Sequence, residues 1–198
     1  MIPNADVLLG KYQDDTGYDY LDYEPITSAD NILPEDLAVT LLMNSRVGWR
    51  AFHSLQESGH TIELATLPKK PLEQTSVEER KQVAALITSL AHFSGFAASV
   101  ATKVLHKKRP ALIPILDNQA IFGAYVNPEW PQKPASRDSI RDGNLISLAL
   151  DWIYFDLTRP ENMNVWSSLS AIEPKRHRIE LFDCVWWMCF REIQPVKR

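Results

Sequence analysis

The sequence predicts an all-α fold. Apolar residues recur at helical spacing, most cleanly at Val83, Leu86, Ile87 and Leu90, which stand at i, i+3, i+4 and i+7. Helix start and stop signals bracket such windows: Pro34-Glu35-Asp36 before one, a Ser76-Val77-Glu78-Glu79 capping box before another, Arg109-Pro110 after a third. No segment shows the strict apolar–polar alternation of a half-buried strand. Roughly seven to eight helices are expected from these signals.

Residues 1–30 read as an irregular arm. Tyr12, Tyr18, Tyr20 and Tyr23 stand among Asp14, Asp15, Asp19 and Asp22, and Gly17 and Pro25 interrupt helix formation. The tyrosines would pack the arm on the core; the acids also suit an imitation of nucleic-acid charge. Residues 31–198 read as a single all-helical domain, two small lobes being the alternative division, with a helical hairpin at 76–108. Pro34 opens a helix that runs to about Asn44, with acids in the first turn where free N–H groups and the helix dipole favour them. A second helix covers Val47 to Glu57 and stops at Gly59, and Thr61-Ile62-Glu63-Leu64 reads as a short extended piece.

The capping box then starts the Val83–Leu90 helix, which Gly95 closes in a left-handed conformation. Ala98 to Lys108 forms the next helix. Asp117 to about Tyr125 should be helical, and Pro128, Pro131 and Pro134 make a stiff connection. Ser136 is expected to cap a long helix from Arg137 to Leu157 whose apolar positions are Ile140, Leu145, Leu148, Trp152 and Phe155. Pro160-Glu161 starts another helix that ends near Ile172. The last runs from about Lys175 to Glu192 and carries so little polar surface that it belongs at the centre.

Composition narrows the function classes. The chain has 198 residues, 45% of them apolar, enough for a sizeable core. No apolar run reaches membrane-spanning length, Asp151 and Asp183 breaking the longest. Met1-Ile2-Pro3-Asn4-Ala5-Asp6 lacks the basic and apolar regions of a secretory signal, so a cytoplasmic location is expected. Cys184 and Cys189 read as buried thiols rather than a disulfide. The histidines show no metal-ligand spacing, and no metal or cofactor is expected. A net charge of −4 and a pI near 5.7 weigh against a broadly basic nucleic-acid binder.

One stretch points to a chemistry. Phe93-Ser94-Gly95-Phe96-Ala97 reads as a tight turn between two helices, built of small residues that let another backbone approach. Successive N–H groups beside a helix N-terminus can cradle a phosphate without reading sequence. Eighteen residues beyond Ser99 (117 − 99) comes Asp117, at the end of Ile113-Pro114-Ile115-Leu116-Asp117. Lys103, Lys107, Lys108 and Arg109 form the best basic patch, suited to phosphates or to the negative end of the helix dipole.

This arrangement resembles the helix-hairpin-helix DNA glycosylases, which join a Leu-Pro-Gly-Val-Gly-like hairpin to a helix and then a Pro-Val-Asp or Pro-Ile-Leu-Asp element. The resemblance covers about 93–125. It implies a helical glycosylase-like fold, DNA as partner, backbone contacts through Gly95, Ala97 and Ser99, and Asp117 as the catalytic carboxylate. Bifunctional members place a lysine nucleophile where this chain has Ser99. Adenine glycosylases of the MutY type have serine there, which implies a monofunctional enzyme. The chain departs from the pattern in having Ala97 for the second glycine and no cluster cysteines, and neither Glu35 nor Glu57 can be placed as a partner acid. Lys103-Val104-Leu105-His106-Lys107-Lys108-Arg109-Pro110, continuing to Asp117, also resembles an uncharacterised bacterial family.

A carboxylate beside a sugar lowers the barrier to breaking an N-glycosidic bond, because positive charge builds on that sugar. Asp117 equally suits a plain helix N-cap, accepting from the amides of Gln119 or Ala120. Three classes therefore stand open: a monofunctional DNA glycosylase, a non-catalytic DNA-binding module, and a protein-interaction module on the same scaffold. Oligomeric state is not legible.

Overall fold

Helices account for all regular structure in the computed structural model, which describes residues 4–14, 19–43, 45 and 47–193. Nine α-helices form among these: α1 (Ala5–Asp14), α2 (Ala38–Leu42), α3 (Trp49–Ser58), α4 (Val77–Ala91), α5 (Ala98–Lys108), α6 (Ile121–Val126), α7 (Gly143–Thr158), α8 (Met163–Ile172) and α9 (Arg178–Ile193). Short 3-10 turns join several of them, and no strand is present among the described residues. No helix there is long and apolar enough to cross a membrane.

The first correction concerns the arm. Residues 5–14 form a helix, because Ala5, Leu8, Leu9 and Tyr12 stand at i, i+3, i+4 and i+7 and bury one face against α9. Pro25 lies beyond this helix and cannot break it. Asp15, Gly17 and Tyr18 lie outside the described residues, as does Asn44. One hydrophobic cluster runs from Ala5 to Phe190, so residue 30 is no packing boundary.

Helix α4 starts as its capping box dictates. Ser76 Oγ accepts from the Glu79 amide while the Glu79 carboxylate accepts from the Ser76 amide, and α4 follows. The helix α4 packs against both α5 and α7. Gly95 has φ +85, and a Cβ there would stand 2.6 Å from the Ala51 amide nitrogen of α3. Its bareness therefore serves the chain's own backbone. Ser54 Oγ donates to Ser94 O at 3.0 Å and fastens the same contact.

Elsewhere the local signals were displaced. Thr61-Ile62-Glu63-Leu64 is not extended; Gly59–Thr61 and Leu64–Thr66 are 3-10 turns that bury Ile62 and Leu64. The helix expected from Asp117 begins at Ile121, and residues 117–120 turn instead. Ser136 caps only a short turn, and the long helix starts after Asp142, whose carboxylate accepts from Asn144 N and Leu145 N. The buried face of α7 is Ile146, Ala149, Leu150, Ile153 and Leu157, while Leu148, Trp152 and Phe155 face outward. The helix α9 is central as expected, from Ile179 through Phe190.

Replacing Gly95 by alanine forces a left-handed alanine into the Ala51 backbone. Urea unfolding of Gly95→Ala should show a loss on the order of 2 kcal/mol or more. An unchanged midpoint would mean that α3 does not approach the turn as described.

Candidate functional site

Helix α5 and the loop after it build a cavity. Thr102 and His106, one turn apart on α5, fasten the returning chain: Leu116 N donates to Thr102 Oγ1 at 2.9 Å, and His106 Nδ1 donates to Ile113 O at 2.6 Å. These bonds aim Asp117 back over α5. The cavity holds about 370 Å³, its open mouth included, and lies between Lys103, Asp117, Asp183, Tyr20, Met43 and Trp187.

Asp117 divides its two oxygens. Oδ1 accepts from Gln119 N at 2.9 Å and Ala120 N at 3.2 Å, the capping bonds. Oδ2 faces Lys103 Nζ at 3.9 Å, with the side chain 23% exposed. Lys103 is buried, and its ammonium donates to Ser45 Oγ. Burial lowers its pKa, opposed by the charges of Asp117 and Asp183.

A second carboxyl that sequence reasoning missed, Asp183 of α9, lines the same cavity. It is buried, and the Tyr20 hydroxyl donates to its Oδ2. Burial raises its pKa to about 7; the Tyr20 bond pulls down, the Asp117 charge pushes up and Lys103 pulls down. The cavity thus sets an anionic carboxylate beside a carboxyl that keeps its proton near neutrality. A lone acid inside the apolar run Leu181–Phe190 was the signal that could have found it. Tyr12, Tyr20, Met43 and Trp187 carried no local signal, since they come from four separated segments. Glu35 and Glu57 lie outside the cavity.

The remaining expected site residues are dispersed. Ala97 is the N-cap of α5 in extended conformation with no side chain capping that end, and Gly95 is exposed beside it. Ser99 is half-buried; neither it, Gly95 nor Ala97 lines the cavity, whereas Lys103, one turn beyond Ser99, does. The basic patch is not an outward one. Lys108 is buried against Asp36 at 2.8 Å and also donates to Thr27 Oγ1 and Ser28 O. Arg109 donates to Ala29 O, Leu64 O and Asp30. Lys107 Nζ donates to Leu21 O at 3.1 Å, and Arg176 binds Leu21 O and Asp22. The chain's own residues 21–36 take the contacts expected for phosphates. His106 is fully buried, and burial lowers its pKa to about 4.

A family model described as "Family of unknown function (DUF6308)" matches residues 5–189, and the chain belongs to that family. No curated protein and no solved structure matches it.

Two outcomes follow from these buried groups. Folded Asp183 holds its proton to about pH 7 while an unfolded aspartate releases it near 4. Between those values the folded state binds the extra proton, so Asp183 makes stability fall as pH rises. His106 does the reverse: its folded value of about 4 lies below the ordinary 6.5, so it makes stability rise between them. The two offset each other in the wild type. Asp183→Asn should therefore gain on the wild type by about 1.4 kcal/mol per pH unit from pH 4 towards 7 in denaturant titrations. A pH-independent difference would show that Asp183 titrates normally. For the buried ion pair, Lys108→Met should cost about 3–5 kcal/mol, and adding Asp36→Asn should recover part of that loss. A neutral Lys108→Met in thermal unfolding would return Lys108 to the surface.

Proposed function

We propose that this DUF6308 protein is a helix-hairpin-helix DNA-binding protein that hydrolyses an N-glycosidic bond. The observation that carries the reading is the pair of carboxyl groups in one cavity, Asp117 charged beside Lys103 and Asp183 protonated to about pH 7. Such a pair supplies both needs of the reaction. Asp183 gives its proton to the leaving nitrogen of the base as the C1′–N bond breaks. Asp117 offsets the positive charge that builds on the sugar. Water then adds to C1′, and its proton returns to Asp183. The turn at Ser94–Ala97 and the uncapped start of α5 would hold a phosphate, and the base would be turned out of the helix stack.

A second reading, an interaction module without catalysis, is favoured by one observation: Lys108 and Arg109 already spend their donors on residues 27–36 and 64.

The test is base release from a panel of lesion-bearing duplexes, followed by alkaline cleavage at abasic sites. Asp117→Asn should lose a hundredfold or more of the activity, on the order expected for removing one transition-state charge contact. Its melting temperature should hardly move, because the asparagine oxygen accepts the same two amides. A wild type inactive across the panel, or an Asp117→Asn variant of full activity, would leave the interaction module.

A further inference from the structure

A second cavity lies on the other side of α9, and its chemistry differs from the first. Four aromatic rings line it in a chain: Trp130 to Trp186 at 6.3 Å between centroids, Trp186 to Phe182 at 6.2 Å, and Phe182 to Trp166 at 6.1 Å. It holds about 270 Å³, and sites for small molecules have this apolar, aromatic character with a few fixed polar groups.

The polar wall comes from the turn between α7 and α8. Asp156 O accepts from Asn162 Nδ2 at 2.7 Å and from Trp166 Nε1 at 3.1 Å. The Asp156 carboxylate accepts from the Tyr125 hydroxyl at 2.5 Å and pairs with Arg159 at 3.2 Å. Two atoms of this wall are left over. Arg159 Nε, a donor, and Asn162 Oδ1, an acceptor, are buried without a hydrogen-bond partner among the described residues, and Asn162 is only 4% exposed. A buried polar atom left unpaired is costly, so one donor and one acceptor behind an aromatic cavity mark a place built for something further. Arg159 lines the cavity with its side chain 26% exposed.

We propose that this cavity binds a free, flat heteroaromatic ring carrying an N–H and a C=O side by side on one edge, the lactam edge of oxopyrimidines and oxopurines. The rings of Trp130, Trp166, Phe182 and Trp186 supply stacking and edge contacts to the ligand faces. The ligand N–H donates to Asn162 Oδ1, and its C=O accepts from Arg159. A charged cage for a cation is disfavoured, because the only carboxylate on the wall is already neutralised by Arg159. The inference does not rest on the Asp117 reading, since the two cavities share no lining residue.

The experiment titrates the full chain with uracil and with 1,3-dimethyluracil, which keeps the ring and both carbonyls but has no N–H. Indole N–H signals are followed by NMR. Uracil should shift the signals of Trp130, Trp166 and Trp186 saturably and leave that of Trp187, in the other cavity, in place. Dimethyluracil should bind roughly tenfold more weakly, as should uracil to an Asn162→Ala variant shown to be folded by circular dichroism. The wild-type comparison needs no variant, so a misfolded Asn162→Ala leaves the test standing. Equal binding of the two ligands, no saturable shift at millimolar uracil, or a shift confined to Trp187 would each overturn the proposal.

Discussion

The buried ion pair of Lys108 and Asp36 is the constraint on which the arrangement of this molecule depends. Both side chains are almost wholly withdrawn from water, at 1% and 3% exposure. Burying two charges costs several kcal/mol each unless every remaining hydrogen-bonding position is filled. Here they are filled. Asp36 accepts from Lys108, from the Thr27 hydroxyl and from Leu33 N. Lys108 spends its three donors on Asp36, Thr27 and Ser28 O. The pair is worth little beyond an apolar contact of the same shape, but breaking it is expensive, so it fixes one register between α5 and residues 27–36.

That register carries the first cavity. With 27–36 held on the end of α5, the segment before it brings Tyr20 against His106, at 6.2 Å between rings, and onto Asp183. The segment after it leads through α2 to Met43 and Ser45 at the cavity's edge. From the other end, Thr102 and His106 hold the 113–116 chain and so aim Asp117. Helix α5 thus gives one side to the cavity and its basic end to the chain's own acids. The same contacts tie Lys108 and Arg109 to residues 27–36 and 64.

What the sequence disclosed, and what it hid, follows from the range of the interactions. The Ser76–Glu79 box, the span of α5 and the positive φ of Gly95 are local matters, and each was legible. Helix α1 was legible too, in Ala5, Leu8, Leu9 and Tyr12, but breakers at 17 and 25 were extended too far back along the chain. In α7 both faces are apolar, so Leu145, Leu148, Trp152 and Phe155 fit a helical stripe as well as the buried Ile146, Ala149, Leu150, Ile153 and Leu157. Periodicity alone cannot choose between them. The basic residues 103–109 misled for a different reason: the partners they find in earlier segments lie 45 to 86 residues away in sequence, and no spacing rule reaches that far. Asp117 was legible as both cap and candidate site residue, and its two oxygens serve the two directions separately.

The charge count inside the first cavity explains why Asp183 holds its proton. Two carboxyl groups and one ammonium share a small volume that water reaches only at its mouth. One ammonium can offset one carboxylate. Asp117 is the carboxylate paired with Lys103, and it also receives two backbone N–H bonds. Asp183 has only the Tyr20 hydroxyl, lies deeper, and faces a neighbour already negative. The second negative charge is therefore the expensive one, and the proton stays on Asp183. Removing the Asp117 charge would ease that cost and lower the Asp183 value, whereas removing Lys103 would raise it. The division of labour between the two acids is thus fixed by which of them the single lysine and the two amides can reach.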